Sequence, residues 1–226
     1  MVTTFVSLPL LFLKNMAIKK KDFSSIKKKF STSAKYKTQR FLDLGGDFLD
    51  AVGVPGPAIG HLNMFLGHSD TGKTTALVKA AADAQKRGIL PVFIITEQKW
   101  SFEHAQLMGF DCEEVVDEET GELEWDGFFI FNNTFNYIEQ ITDYINELLD
   151  AQLKGELEYD LLFLWDSVGS VPCKMTFDGK GGKQHNAGTL ADKIGMGINQ
   201  RISGSRKVDS KYENTLVVVN QPWVEL

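Results

Sequence analysis

The sequence predicts an α/β fold, a mostly parallel central sheet flanked by helices. Two observations predict it. Short apolar runs alternate with stretches at helical spacing, the order of a sheet wrapped by its own crossover helices. One glycine-bracketed turn, Gly67-His68-Ser69-Asp70-Thr71-Gly72-Lys73-Thr74, stands between an apolar run and a helical stretch, where a phosphate-binding loop belongs.

The elements follow in order. Residues 62–66 are a short apolar run, the first strand. Residues 75–87 are rich in helix formers, carry Lys86 and Arg87 in the last turn and stop at Gly88. Residues 90–96 form the second strand and 101–108 a short helix; the acidic stretch 117–122 reads as an exposed turn. The third strand is 127–131. An amphipathic helix follows, with Phe135, Ile138, Ile141, Ile145, Leu148 and Leu149 on one face, a cap at Asn133 or Thr134 and an end at Gly155. Residues 160–166 are the fourth strand, 171–188 a glycine- and lysine-bearing loop, and 215–220 the last strand; a helix lies within 187–201.

The turn at 67–74 fills the pattern G-x-x-x-x-G-K-[ST]. Gly67 and Gly72 let the backbone turn tightly and aim N–H groups inward at a phosphate. Lys73 brings a point charge to the β- and γ-phosphates. Thr74 offers a hydroxyl to Mg²⁺, and the helix that starts here adds the positive end of its dipole. The expected fold is therefore a P-loop NTPase with ATP and Mg²⁺ as cofactors. Its nucleotide contacts are Gly67, His68, Ser69, Asp70, Thr71, Gly72, Lys73, Thr74 and Thr75.

Further candidates stand at the carboxyl ends of strands, where a doubly wound sheet holds its ligand. Asp166 ends the fourth strand and is the expected second metal ligand, opposite Thr74. Glu97 follows the second strand, where a carboxylate can orient or activate the water that attacks a γ-phosphate. Asn220-Gln221 ends the last strand, and an amide there can sense the γ-phosphate. The loop 171–188 carries Lys174, Lys180, Lys183 and His185 with four glycines, a basic and mobile segment able to meet a phosphate backbone.

The net charge of −6 hides an asymmetry: residues 14–40 carry +9 and the remainder −15. A basic arm on an acidic body suits docking on nucleic acid or on the acidic face of a second copy. Cys112 and Cys173 form no C-x-x-C pair and read as reduced thiols. The four histidines, His61, His68, His104 and His185, show no metal-ligand spacing. The apolar stretch 5–13 is too short to span a bilayer and lacks the flanks of a secretory signal. Met16 opens a more ordinary beginning, so residues 1–15 read as an upstream, non-native start.

Together these residues resemble the RecA family, particularly its phage UvsX-like branch. The resemblance runs from about Asp43 to Gln221. It takes in Pro55-Gly56-Pro57-Ala58-Ile59-Gly60-His61, the phosphate loop, Glu97, Asp166-Ser167 and Asn220-Gln221, in that order. It implies an ATP-dependent recombinase core, a cytoplasmic DNA-dependent ATPase that binds single-stranded DNA and assembles into a filament through its N-terminal arm. It also implies that Glu97 is the catalytic base, Gln221 the γ-phosphate sensor, and 171–188 the first DNA-binding loop. The expected organisation is a basic arm, 1–41, and a RecA-like ATPase core, 42–226. The family continues past the sensor glutamine with a second DNA loop, so this chain reads as a core without its usual C-terminal part. Two other readings share the sheet: a DnaB-type replicative helicase motor, and an ATP-binding regulatory switch with no DNA role.

Overall fold

The computed structural model describes residues 20–31, 35–97, 99–118 and 121–222, apart from the side chains of 20–23 and 183. The stretch 5–13 and the start at Met16 lie outside these residues. Residue contacts divide the chain into two units, 1–35 and 36–226. In the first, α1 (Lys20–Phe30) carries Lys27, Lys28 and Lys29 in its last turn and exposes Ile26 and Phe30.

The second unit begins with α2 (Gly46–Val52), β1 (Leu62–Leu66), α3 (Lys73–Lys86), β2 (Leu90–Ile95) and α4 (Phe102–Leu107). Then come β3 (Glu113–Val116), β4 (Leu123–Asp126), β5 (Ile130–Asn132), α5 (Ile138–Lys154) and β6 (Leu161–Asp166). The chain continues through α6 (Lys174–Phe177), α7 (Lys183–Leu190), a π-helical stretch (Ala191–Ile198), α8 (Asn199–Gly204) and β7 (Thr215–Asn220). Five strands form one parallel sheet in the order β1-β7-β6-β2-β5, as the α/β expectation requires. No helix among the described residues is long and apolar enough to cross a membrane.

Every residue of β2 and β6 is buried, which is why both read as apolar runs without alternation. Successive side chains still point to opposite faces. Phe93, Ile95, Leu162, Leu164, Val217 and Val219 pack with Leu77, Val78 and four alanines of α3. Val92, Ile94, Phe163, Trp165, Leu216 and Val218 pack with Ile138, Ile141, Ile145 and Leu149 of α5, and with Ile194 and Ile198 of the π-helical stretch. The small alanines let α3 lie close to the sheet, which brings the loop at its start within reach of the strand ends. On the other face the buried residues of α5 recur every three to four positions, and Gly155 ends the helix in a left-handed conformation at φ 80°.

Several local expectations are corrected. The third sheet strand lies at Ile130–Asn132 rather than 127–131, because Gly127 breaks the run with φ 150°. Asn132 Oδ1 accepts from the Thr134 N–H (3.0 Å) and hydroxyl (2.8 Å), so Asn133 and Thr134 form a turn and the helix starts at Ile138. The acidic turn sits inside an antiparallel hairpin, β3–β4. Its four-residue strands carry Glu113, Glu114, Glu124 and Asp126, a content too acidic for strand propensity to show. The segment 171–188 is largely helical, in α6 and α7, not an open loop.

Candidate nucleotide-binding site

The parity of three strands explains the site. On β6, Leu162 and Leu164 face α3, so Asp166 continues on that face; on β2, Phe93 and Ile95 lead in the same way to Glu97; on β7, Val217 and Val219 lead to Gln221. Lys73 and Thr74 open α3 on the same side. A cleft of about 350 Å³ results. Ser69, Asp70, Gly72, Lys73, Thr74 and Thr75 line one wall, and Glu97, Asp166 and Gln221 the other. A larger cleft, about 470 Å³, lies by Gln152, Tyr212 and Asn214, and none of the candidate residues lines it.

The phosphate loop is shaped by its backbone. Gly72 has φ 82° and Asp70 φ 60°, left-handed conformations that turn the chain into α3. A Cβ on Gly67 would stand 2.8 Å from Thr71 Oγ1. That hydroxyl donates to the His68 carbonyl at 2.8 Å, and the Gly67 N–H donates to the Asn220 carbonyl at 3.3 Å, tying the loop to the end of β7. Gly67, His68 and Thr71 thus shape the loop without lining the cleft. Lys73 is half-buried rather than a free solvated cation: its ammonium donates to the His68 carbonyl at 2.5 Å.

Across the cleft, Thr74 Oγ1 donates to Asp166 Oδ2 at 2.6 Å. Burial pushes the Asp166 carboxyl above the usual carboxylate range; Glu97 adds to the rise, while the Thr74 hydroxyl and Lys73 oppose it. Ser167 Oγ donates to Glu97 Oε1 at 2.6 Å, which orients that carboxylate. Thr96 Oγ1 donates to the carbonyls of Asp166 (3.1 Å) and Ser167 (2.9 Å), locking the end of β2 to the end of β6. Glu97, Ser167, Asn220 and Gln221 also border a smaller recess of about 150 Å³.

These residues fit a magnesium nucleotide. Among the described residues no three His, Cys, Asp or Glu side chains gather as a metal site. Mg²⁺ does not need such a cage: it takes one or two protein oxygens and fills its shell with phosphates and water. The Thr74 hydroxyl and Asp166 carboxylate are the oxygens that face each other here.

Lys174 and Lys180 stand outside the cleft. Lys174 opens α6 with its ammonium 5.7 Å from the centre of the Tyr137 ring. Lys180 follows the α6 turn, which closes through the Lys180 N–H to the Met175 carbonyl at 2.9 Å. Lys183 begins α7, and its side chain lies outside the described ones.

Two cleft residues were missed from sequence, Lys99 and Trp100. Trp100 packs on Phe93 with centroids 4.7 Å apart, and its buried indole N–H has no hydrogen-bond partner among the described residues. Their closeness to Glu97 in the chain was the available signal.

No protein-family model matches the chain. It is similar to curated RecA proteins. The RecA of Wolinella succinogenes is 25% identical over 174 residues, 76% of this chain and 41% of that protein. The RecA of Fusobacterium nucleatum is 26% identical over 176 residues, 76% of this chain and 38% of that protein. The RecA of Mesoplasma florum is 24% identical over 181 residues, 78% of this chain and 46% of that protein. The chain thus spans less than half the length of the curated relatives it matches, and over about three quarters of its own length it is similar to RecA proteins.

Proposed function

We propose that this chain is the ATP-binding core of a DNA-dependent ATPase, a recombinase of the RecA family close to its phage UvsX-like branch. It acts in homologous recombination and repair by binding single-stranded DNA. One observation carries the reading: a phosphate loop, an acidic strand end, a second carboxylate and an amide converge on one cleft.

In this reading the phosphate-loop N–H groups and Lys73 hold the triphosphate of ATP, and Thr74 and Asp166 hold Mg²⁺. Bound Mg²⁺ neutralises charge on the β- and γ-phosphate oxygens. Glu97, oriented by Ser167, takes the proton of the attacking water. Gln221 senses the γ-phosphate. Glu97 and Gln221 border the smaller recess beside Ser167 and Ser170, which offers a route from nucleotide state toward the lysines of 171–188. These lysines hold the DNA backbone, the basic arm (1–41) joins the core (42–226) to a neighbouring copy in a filament, and the protein works in the cytoplasm, that of the host if phage-encoded.

The test is ATP turnover measured with and without single-stranded DNA, together with DNA affinity at two salt concentrations. Expected are DNA-stimulated hydrolysis and affinity that falls with salt at a log–log slope of about −0.7 per neutralised phosphate. Changing Lys174, Lys180 and Lys183 to alanine weakens DNA binding and flattens that slope. Turnover indifferent to DNA, with no binding at low salt, leaves an ATP-binding switch.

A further inference from the structure

Phosphate contacts hold DNA without regard to its bases. The α6 region adds rings to these charges. α6 is one turn, and it is pinned. The Lys174 N–H donates to Glu139 Oε2 at 2.8 Å, and the Ile138 N–H donates to the Pro172 carbonyl at 2.9 Å, so the turn is tied to the first turn of α5. Thr176 Oγ1 donates to the Gly182 carbonyl at 3.1 Å, and the Cys173 N–H to Asn186 Oδ1 at 3.0 Å, tying it to α7.

This bracing sets Tyr137, the residue before α5, beside Phe177 of α6. The ring centres are 5.6 Å apart and the planes inclined by 45°. Phe177 is 53% exposed and the adjoining Met175 49%. A half-exposed ring on a braced turn, beside a second ring and under a lysine, offers an apolar face to a flat ligand and a cation to whatever anion accompanies it. Bases stack on such rings while lysines hold the phosphates between them.

Charge separates this patch from the exposed apolar side chains of the hairpin. Val116 and Leu123 are exposed as well, but their hairpin, 113–126, holds eight acidic residues and no base, so it repels a polyanion. Residues 171–188 hold three lysines against one acid, Asp178.

We propose that Tyr137 and Phe177 form a base-stacking platform for single-stranded DNA, with Lys174 beside it on a backbone phosphate. The inference rests on the DNA-binding reading above and adds a base-dependent contact, half of it from outside the lysine-bearing segment.

The test compares two fluorescent oligonucleotides of equal charge, an oligothymidylate and an abasic strand, each of about 15 nucleotides, within the span one single-strand site covers. Anisotropy titrations use the full chain, its Tyr137→Leu, Phe177→Leu and double variants, and Tyr137→Phe. The parent chain prefers the base-bearing strand. Each leucine change weakens binding to that strand about fivefold or more and leaves abasic binding within about twofold, while Tyr137→Phe, which keeps the ring, binds like the parent. Melting curves check folding. If Tyr137→Leu does not fold, the exposed Phe177→Leu carries the comparison alone. A double variant, or that single variant, with parental affinity for both strands overturns the platform and leaves the lysine contacts standing. A parent chain that binds neither strand overturns both readings.

Discussion

Thr74 and Asp166 stand 92 residues apart in the chain and 2.6 Å apart in space, hydroxyl to carboxylate, between the first turn of α3 and the end of β6. This pair closes the cleft on the side where a divalent cation sits in the proposed function. Asp166 is kept in place although its burial disfavours the charged form. Asp166→Asn keeps the shape and removes the buried charge. Mg²⁺-dependent ATP turnover is expected to disappear, while the metal-free protein melts higher at neutral pH, by about 2–4 °C for each kcal/mol of relieved desolvation. Calorimetry without Mg²⁺ or nucleotide checks this, and a lowered melting temperature contradicts it.

Lys73→Ala is expected to abolish ATP turnover and leave the fold intact. The His68 carbonyl loses its lysine donor but keeps the Thr71 hydroxyl, so the loop retains its shape. The point charge that Lys73 brings to the β- and γ-phosphates is lost with it. Turnover near the parent rate in a steady-state assay removes Lys73 from its assigned role.

Glu97→Gln is expected to keep nucleotide affinity and slow hydrolysis by about 10²–10⁴, the usual contribution of a general base. Ser167→Ala removes only the hydroxyl that orients Glu97. It should lower turnover less, by up to about tenfold, with nucleotide affinity unchanged. Single-turnover rates separate the two. A loss in Ser167→Ala equal to that in Glu97→Gln gives Ser167 a role beyond positioning.

His61 carries a pH prediction. Burial lowers its pKa below the ordinary value, Arg206 lowers it further, and Glu213 partly opposes both; Nε2 lies 2.7 Å from Gln39 Oε1. The folded state binds this proton less readily than the unfolded chain. Its stability is therefore complete above the ordinary histidine pKa of about 6.5 and falls as pH drops through the window toward the lowered native value. His61→Gln should remove that part of the acid-induced loss, a small difference of at most about 2 °C because solvent screens a half-buried ring. Melting curves at pH values either side of that window test it; a variant with the same slope as the parent places the loss elsewhere.

The phosphate loop was legible in the sequence because its requirements are local. Tight turning needs Gly67 and Gly72, and the charge and hydroxyl must follow at once as Lys73 and Thr74. Three strands of the main sheet, β2, β6 and β7, were legible because burial on both faces demands unbroken apolar runs. Asp166, Glu97 and Gln221 could be named as strand-end residues, but nothing local puts three distant strand ends on one face. The order β1-β7-β6-β2-β5 and the shared parity toward α3 do that. The same limit hid Tyr137 beside Phe177. The hairpin β3–β4 escaped because its strands are short, exposed and acidic, so cross-strand pairing rather than propensity holds them. What a few neighbouring residues must do by themselves was written in the chain. What depends on which strands lie side by side, and on which face a side chain leaves them, was decided by packing in three dimensions.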